Sequence, residues 1–120
     1  MERTLTLEVN KMQKIEAIIR PEKLQQVKNA LEELGVIGMT TYPVQGRGEQ
    51  KGLEFTHRAG KFRVDFLDKM KIEIVVKDAL VDGVVEAIMN NARTGETGDG
   101  RIFISPVART LKVRTGEEEK

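Results

Sequence analysis

The sequence predicts an α+β fold of the ferredoxin-like kind, a split β-α-β sandwich with both helices on one face of a four-stranded antiparallel sheet. Two segments repeat apolar residues at three- and four-residue spacing, which predicts amphipathic helices. Each of these segments lies between short runs rich in β-branched residues, which predict strands. A long stretch rich in glycine and charge separates the two β-α-β units, so we expect it to form a loop outside the sandwich.

The first β-α-β unit begins with the apolar run 15–19, which predicts a short strand. Pro21 follows, and proline is favoured at the first position of a helix. A helix over 22–34 is predicted by its apolar residues at helical spacing, which are Leu24, Val27, Leu31 and Leu34. The next strand, 36–44, contains Pro43, which cannot donate a ladder hydrogen bond and places that strand at an edge or a bulge.

The regular spacing of apolar residues ends at residue 46, in the middle of the chain. Segment 46–61 lacks apolar periodicity, so we expect no regular structure in it and a mobile or functional role. Segment 62–66 alternates apolar and polar residues, as a half-exposed strand does. Segment 70–76 is more continuously apolar and predicts a mostly buried strand.

The second unit closes the fold. A helix over 79–93 is predicted by Leu80, Val84, Val85, Ile88 and Met89. Segments 102–105 and 110–114 predict two further strands. Neither end of the chain is predicted to join the sandwich: 117–120 is an acidic tail, and 1–11 is an extension that we expect to be disordered.

The composition limits the class of protein. A chain of 120 residues holds one core, and near-equal numbers of basic (20) and acidic (19) side chains argue against a general nucleic-acid binder. One tyrosine, four phenylalanines and no tryptophan also disfavour RNA binding by base stacking on the sheet. The chain lacks cysteine, a secretory signal and an apolar run long enough to cross a membrane. We therefore expect a cytoplasmic protein.

The strands carry more apolar residues than two helices would cover. We expect that Ile15, Ile72, Ile74 and Val76 cannot all face the helices. One face of the sheet should then meet other subunits, which predicts an obligate oligomer closed by cyclic symmetry.

Two glycine-rich segments with basic residues predict phosphate binding. Segment 92–101 places three glycines, two threonines and two arginines between a predicted helix and a predicted strand. Glycine lets backbone N–H groups approach an anion closely, and arginine adds forked charged donors. Glycine after a helix is also common in ordinary connections. A second such segment at 46–52 strengthens the phosphate interpretation.

Several motifs resemble the PII nitrogen-regulatory signalling proteins. These are KIEAIIRP at 14–21, GRGEQKG at 46–52, VDFLDKMKIE at 64–73, ARTGETGDGRIFISPV at 92–107 and RTGE at 114–117. The similarity covers about residues 12 to 117, in order and without large gaps.

The resemblance implies a signalling domain over 12–116 that assembles as a homotrimer, with nucleotide clefts between neighbouring subunits. ATP and ADP compete for these clefts, and 2-oxoglutarate joins through a Mg²⁺ ion when ATP is bound. Segment 46–62 corresponds to the mobile T-loop, whose shape reports the ligand state to a target. The implied targets are an ammonium or other transporter, a metabolic enzyme or a regulator. Contact with a membrane is implied only through a transporter partner.

The resemblance also assigns residues. The implied nucleotide-binding residues are Thr40, Gly46, Gly48, Lys51, Glu73, Val75, Thr94, Gly98, Asp99, Gly100, Arg101, Lys112 and Arg114. The implied 2-oxoglutarate-binding residues are Gln50, Lys51, Gly52 and Lys69. Gln50 is also the implied Mg²⁺ ligand, together with the ATP phosphates. The charges of these residues suit ATP, because its phosphates would face four basic side chains, those of Lys51, Arg101, Lys112 and Arg114. The amide oxygen of Gln50 suits Mg²⁺, which prefers oxygen ligands.

The chain departs from the family pattern at several positions. Phe62 and Gly60 stand where some relatives carry a modified tyrosine and a modified serine, so we do not expect control by those routes. Glu49 replaces a common arginine, and Lys112 keeps a charge but loses the arginine fork. The residues of segment 57–61, at the tip of the loop, differ from the family pattern. This difference indicates that the target protein is not the one best known in the family.

Other interpretations stay open on the residues alone. Leu53 and Phe55 would anchor a partner or pack on the protein's own surface. His57 is read as a solvated loop residue, because the chain has no second histidine or cysteine to share a metal. The alternative to a sensor is a small nucleotide hydrolase or phosphotransferase on the same scaffold, which would need a positioned nucleophile beside the cations.

Overall fold

The structure is a computed structural model of the chain. It describes residues 12–48, 53–57, 60–64 and 66–119, and for 53–57 and 60–64 it describes the backbone alone. The predicted N-terminal extension, 1–11, and three predicted ligand-binding residues, Gln50, Lys51 and Gly52, lie outside the described residues.

The described part of the chain contains six strands and two α-helices. In chain order they are β1 (Met12–Ile19), α1 (Leu24–Glu33), β2 (Thr40–Gly46), β3 (Leu53–His57), β4 (Gly60–Val64), β5 (Leu67–Lys77), α2 (Val81–Ala92) and β6 (Gly100–Val107). A single 3₁₀ turn precedes each helix, at Pro21–Lys23 and at Asp78–Leu80. Both predicted helices therefore exist, and each begins as a tighter turn than the sequence pattern predicts.

The four long strands form one antiparallel sheet in the order β2-β5-β1-β6. This order, with one helix after β1 and one after β5, confirms the predicted ferredoxin-like fold. Among the strands that the structure describes, β2 lies at the edge of the sheet and pairs with β5 alone. Pro43, which has no N–H to donate, is tolerated there because the outer side of the strand has no described partner strand to pair with. Strand β1 lies between β5 and β6, two of the three strands that carry predicted site residues.

The core fills the space between the sheet and the two helices. It consists of Ile15, Ala17, Ile19, Val27, Leu31, Val36, Ile72, Ile74, Val76, Val84, Ile88 and Ala92. Each fully buried aliphatic side chain contributes about 1.5–3 kcal/mol relative to exposure in the native state. The expectation that Ile15, Ile72, Ile74 and Val76 cannot all face the helices is wrong, since their exposures are 0, 0, 2 and 6 %. Residues two apart in β5 share a face, and Ile15 pairs directly with Ile74, so all four side chains point the same way.

The opposite face of the sheet, which we call the open face, carries charge as well as apolar surface. Lys14, Glu16, Lys71 and Glu73 lie on neighbouring strands β1 and β5. Their side chains form ion pairs with one another across this face. Phe103, opposite Glu16 on β6, is half-exposed.

The middle segment contains a hairpin that the sequence analysis misses. Strands β3 and β4 pair antiparallel from Leu53 opposite Val64 to His57 opposite Gly60, as a separate two-stranded sheet. The prediction of no regular structure over 46–61 is therefore wrong, and the strand predicted at 62–66 begins earlier. A hairpin gains its hydrogen bonds from the pairing of its two halves, which glycine-rich, charged segments do not signal through periodicity.

The predicted strand 110–114 is also wrong. Segment 109–119 folds back on itself, with one isolated bridge between Leu111 and Glu118. The N–H of Lys112 donates to the carbonyl of Glu117 over 2.8 Å, and the side chain of Arg109 donates two bonds to Glu118. This local turn satisfies the backbone groups that a sheet would otherwise pair.

The second strand starts later than predicted, at Thr40 instead of Val36. The N–H of Val36 donates to the carbonyl of Leu31 over 3.0 Å, so Val36 still belongs to the end of α1. Gly35, with a φ of +84°, adopts the left-handed conformation that ends a helix in this way.

Candidate functional site

The glycine loop, residues 93–99, connects α2 to β6 and has a defined shape. Gly95 and Gly98 have φ values of +93° and +100°, which side chains with a Cβ rarely adopt. Gly100 follows at the start of β6, where a Cβ would lie 1.7 Å from the carbonyl oxygen of Ile18. The backbone of the loop therefore lies directly against the end of β1.

The carboxylate of Asp99 holds the glycine loop in this shape. Its Oδ2 accepts hydrogen bonds from the N–H groups of Thr94 and Gly95, each over 2.8 Å. Its Oδ1 accepts from the Thr94 hydroxyl over 2.5 Å and from Arg20 Nε over 3.1 Å. These donors, the Thr94 hydroxyl first among them, hold the pKa of Asp99 well below its usual range. Thus the N–H groups of Thr94 and Gly95 already bind a carboxylate of the same chain.

Arg20 is a site residue that the sequence analysis does not assign. It donates from Nε to Asp99 and from Nη2 to the carbonyl oxygen of Thr97 over 2.9 Å. Ile19, the last residue of β1, pairs with Gly100 on one side and with Met70 on the other. Arg20 follows it and therefore lies between the loop and Lys69. The motif at 14–21 contains Arg20, but only the strand register shows what its side chain meets.

Lys69 is buried beside the same loop. Its side chain is in a residue only 8 % exposed, and its Nζ donates to the carbonyl oxygen of Gly98. Burial, followed by the nearby charge of Arg20, lowers the pKa of the Lys69 ammonium. A Cβ on Gly98 would lie 3.4 Å from Arg20 Nη2 and 3.6 Å from Lys69 Nζ. Two cations thus converge at this glycine, in surroundings that suit a compact anion such as a carboxylate.

The base of the T-loop lies next to Lys69. Val44 pairs with Lys69 across β2 and β5, and a Cβ on Gly46 would lie 3.7 Å from Lys69 Cγ. Gly48 has open space around its Cα. The structure therefore brings Gly46, Lys69 and the glycine loop together at one end of the sheet.

A second group of predicted residues lies elsewhere in the same chain. Thr40 pairs with Glu73, and Val75 follows on the same open face. Glu73 is four residues along β5 from Lys69, which is about 13 Å at the usual rise per residue of a strand. Lys112 and Arg114 lie in the folded-back segment 109–119 and are exposed. One chain alone does not bring these residues to the glycine loop.

The glycine loop also borders a cavity of about 400 Å³ between β6 and α2. Its walls are mainly apolar and include Val85, Met89 and Ile102. Arg93, Asp99 and Arg101 contribute its charged lining.

Among the described residues, no group of three histidine, cysteine, aspartate or glutamate side chains could hold a metal ion. In the same part of the chain, helices are too short or too polar to cross a membrane.

Comparison with known proteins decides the family. Residues 12–117 match the family model of the nitrogen regulatory protein P-II. The chain belongs to the P-II family. It is 54% identical to the nitrogen regulatory protein P-II of Microchaete diplosiphon over 107 residues, which are 89% of this chain and 96% of that protein. It is 52% identical to nitrogen regulatory protein P-II 1 of Escherichia coli strain K12 over 108 residues, covering 90% and 96%.

Solved structures agree with the sequence comparison. A crystal structure of Arabidopsis thaliana PII bound to citrate matches with a TM-score of 0.74 and 40% identity, over 91% of this chain and 86% of that one. This match confirms the α+β ferredoxin-like fold. The P-II relatives are regulatory proteins, so the signalling interpretation is supported over the hydrolase or phosphotransferase alternative.

Proposed function

We propose that this P-II protein senses ATP or ADP together with 2-oxoglutarate, and reports their binding to a target through its T-loop. The observation that carries the proposal is the convergence of Arg20, Lys69 and the glycine loop beside Gly46, the last residue of β2. An anion bound there would lie where the T-loop leaves the sheet. Its binding can therefore change which loop conformation is favoured.

The 2-oxoglutarate site is proposed at Lys69, with Gln50, Lys51 and Gly52 completing it from the T-loop. Lys69 is buried and donates to a neutral carbonyl oxygen, that of Gly98, so a carboxylate would be a stronger partner. The Arabidopsis relative was crystallised with citrate, which is also a carboxylate ligand. The citrate complex of that relative supports the binding of a small anion by a P-II protein.

The nucleotide site is proposed between subunits of a homotrimer. One chain would supply the glycine loop, Gly46 and Arg101, and its neighbours would supply the residues that one chain holds apart. Those residues are Thr40, Glu73, Val75, Lys112 and Arg114. The separation of about 13 Å along β5 and the exposed position of Lys112 and Arg114 are consistent with a site that neighbouring chains complete.

Magnesium fits this site only through oxygen ligands of the nucleotide and of Gln50. The described residues offer no carboxylate cluster that would hold the ion without ATP. Mg²⁺ usually keeps few protein ligands and binds through phosphate oxygens, which agrees with that arrangement. When bound, the ion would supply positive charge that links the phosphates to the 2-oxo acid.

The targets are proposed from the family name and the resemblance: an ammonium or other transporter, an enzyme of nitrogen or carbon metabolism, or a regulator. A cytoplasmic location follows from those targets. Association with a membrane would come through a transporter partner.

Titration calorimetry tests the proposal, with Lys69→Met as the informative variant. We expect 2-oxoglutarate to bind the unaltered protein only when Mg-ATP is present, and Lys69→Met to weaken it about 10- to 150-fold, since a charged hydrogen bond contributes about 1.5–3 kcal/mol. ATP affinity should change less than threefold. The control is Lys28→Met, which removes an exposed lysine paired with Glu32 on α1.

Two results would contradict this function. One is equal binding of 2-oxoglutarate with and without nucleotide. The other is unchanged 2-oxoglutarate affinity in Lys69→Met, because the buried ammonium would then have no part in recognition.

A further inference from the structure

Tyr42 makes the strongest contact to Glu73, a residue of the proposed nucleotide site. Tyr42 lies on β2 opposite Lys71, and Glu73 is two residues further along β5 on the same face. The Tyr42 hydroxyl donates to Glu73 Oε2 over 2.6 Å. Tyr42 is the only tyrosine in the chain, and the sequence analysis gives it no role.

Two lysines approach the same oxygen. Lys14 Nζ lies 3.8 Å and Lys71 Nζ 3.7 Å from Glu73 Oε2. All three of these contacts are formed by Oε2. The contacts therefore occupy one carboxylate oxygen and leave the other available to a ligand.

The surrounding charges help to hold the Glu73 carboxylate in place. Glu16 is its direct neighbour across β1 and β5, and two carboxylates in that position repel each other. Lys14 and Lys71 also contact Glu16, over 2.8 and 3.7 Å, and so offset this repulsion. The two lysines contact both carboxylates, whereas the Tyr42 hydroxyl donates to Glu73 alone. The Lys71 ammonium lies 5.7 Å from the centre of the Tyr42 ring, which helps to fix the ring.

We propose that Tyr42 is a positioning residue for nucleotide recognition: it holds Glu73 Oε2, so that Oε1 accepts a hydrogen bond from the bound nucleoside. This inference rests on the proposed nucleotide site. The ligand group must be a donor, because an ionised carboxylate only accepts. A nucleoside of ATP offers two kinds of donor, the amino group of adenine and the hydroxyls of ribose. A base with a carbonyl oxygen in place of that amino group would be repelled.

Calorimetric titration of three nucleotides tests the inference: ATP, ITP, which has a carbonyl in place of the amino group, and 2′-deoxy-ATP. The variants are Tyr42→Phe, which keeps the ring and removes the donor, Glu73→Gln, and the double variant. We expect Tyr42→Phe to weaken ATP about fivefold, and Glu73→Gln at least as much. The double variant should bind like Glu73→Gln alone, because Tyr42 acts through Glu73.

The nucleotide analogues identify the donor. If the amino group is recognised, the preference for ATP over ITP should fall about fivefold in Tyr42→Phe. If a ribose hydroxyl is recognised, the preference for ATP over 2′-deoxy-ATP should fall instead. A purely structural role would lower the affinity for all three nucleotides equally, and would overturn the inference.

The control is Gln13→Ala, which removes a different side-chain hydrogen bond, that to Asp78 at the other end of β1. It should leave all three affinities within twofold. Additive effects in the double variant, or ATP affinity within twofold in Tyr42→Phe, would overturn the role of Tyr42 while leaving nucleotide sensing intact. Failure of the unaltered protein to bind ATP would instead overturn the proposed function, and this inference with it.

Discussion

At the scale of single residues, Asp99 determines the shape of the glycine loop. Its carboxylate accepts four hydrogen bonds, three from the loop and one from Arg20. The resemblance places Asp99 among the nucleotide ligands, which stays a prediction. The geometry shows that this carboxylate holds the N–H groups of Thr94 and Gly95 at the start of the loop.

Asp99→Asn should lower the free energy of unfolding by about 2 kcal/mol at pH 7, because hydrogen bonds to a charged group are among the stronger ones. The pKa of Asp99 in the folded protein lies below that in the unfolded chain. Its contribution is therefore complete above the unfolded value, about 4, and is lost as the pH falls further towards the folded value. Urea unfolding at several pH values measures this.

The difference between the unaltered protein and Asp99→Asn should be constant from about pH 8 to 5 and shrink below about pH 4. Glu86→Gln, an exposed change in α2, should show little difference at any pH. A difference for Asp99→Asn that grows in acid would contradict the assigned role.

At the scale of elements, strand pairing decides where the site forms. Strand β1 ends between β5 and β6, and Arg20 is carried from its end to both Lys69 and the glycine loop. The close approach of Gly100 to Ile18 fixes the start of β6. The packing of α2 on the sheet fixes the other end of the loop.

Gly100→Ala should destabilise the protein by about 3 kcal/mol or more, because a Cβ there would overlap the Ile18 carbonyl and the φ of +114° suits only glycine. Thermal and urea unfolding measure the change. Gly38→Ala is the matched control, since no atom lies within 4 Å of its Cβ position. We expect it to be neutral or slightly stabilising. Equal losses for both variants would contradict the close packing at Gly100.

The sequence predicts the elements that bury a periodic apolar face and misses those that do not. Helices α1 and α2 and the central strands match because their core residues recur at regular spacing. The β3-β4 hairpin is missed because its two strands hydrogen-bond to each other as a separate sheet. Such pairing needs no periodic apolar face, so the sequence pattern does not reveal it. Segment 110–114 has strand-like composition, yet its backbone pairs with 117–119 instead of the sheet.

At the scale of the whole molecule, some apolar surface has no cover in one chain. Val113 is fully exposed and Leu111 is half-exposed, both in the folded-back segment that carries the proposed phosphate ligands Lys112 and Arg114. Phe103 on the open face is also half-exposed. Such surface is consistent with assembly, and the proposed homotrimer would use it.

Val113→Asp should convert the trimer to monomers, because a carboxylate would be buried without a partner in the proposed subunit contact. Size-exclusion chromatography with light scattering measures the mass. The free energy of unfolding of an isolated chain should change little, since the Val113 side chain is fully exposed in it. Leu80→Asp, on a half-exposed residue at the start of α2, is the control and should remain trimeric. A monomeric unaltered protein, or a trimeric Val113→Asp, would contradict the proposed assembly.

The amino-acid sequence by itself determined the two β-α-β units, the edge position of β2, the glycine loop and membership of a signalling family. The β-α-β units and the loop follow from periodic burial and from glycine at positions that a turn requires, and the edge position follows from Pro43; these are local properties of the chain. Membership of the family was implied by the resemblance of several motifs. Only the tertiary structure decided that Arg20 meets Asp99, 79 residues away, and that Tyr42 meets Glu73. Those contacts depend on strand order and register, and a shift of one residue in register would send each side chain to the other face of the sheet.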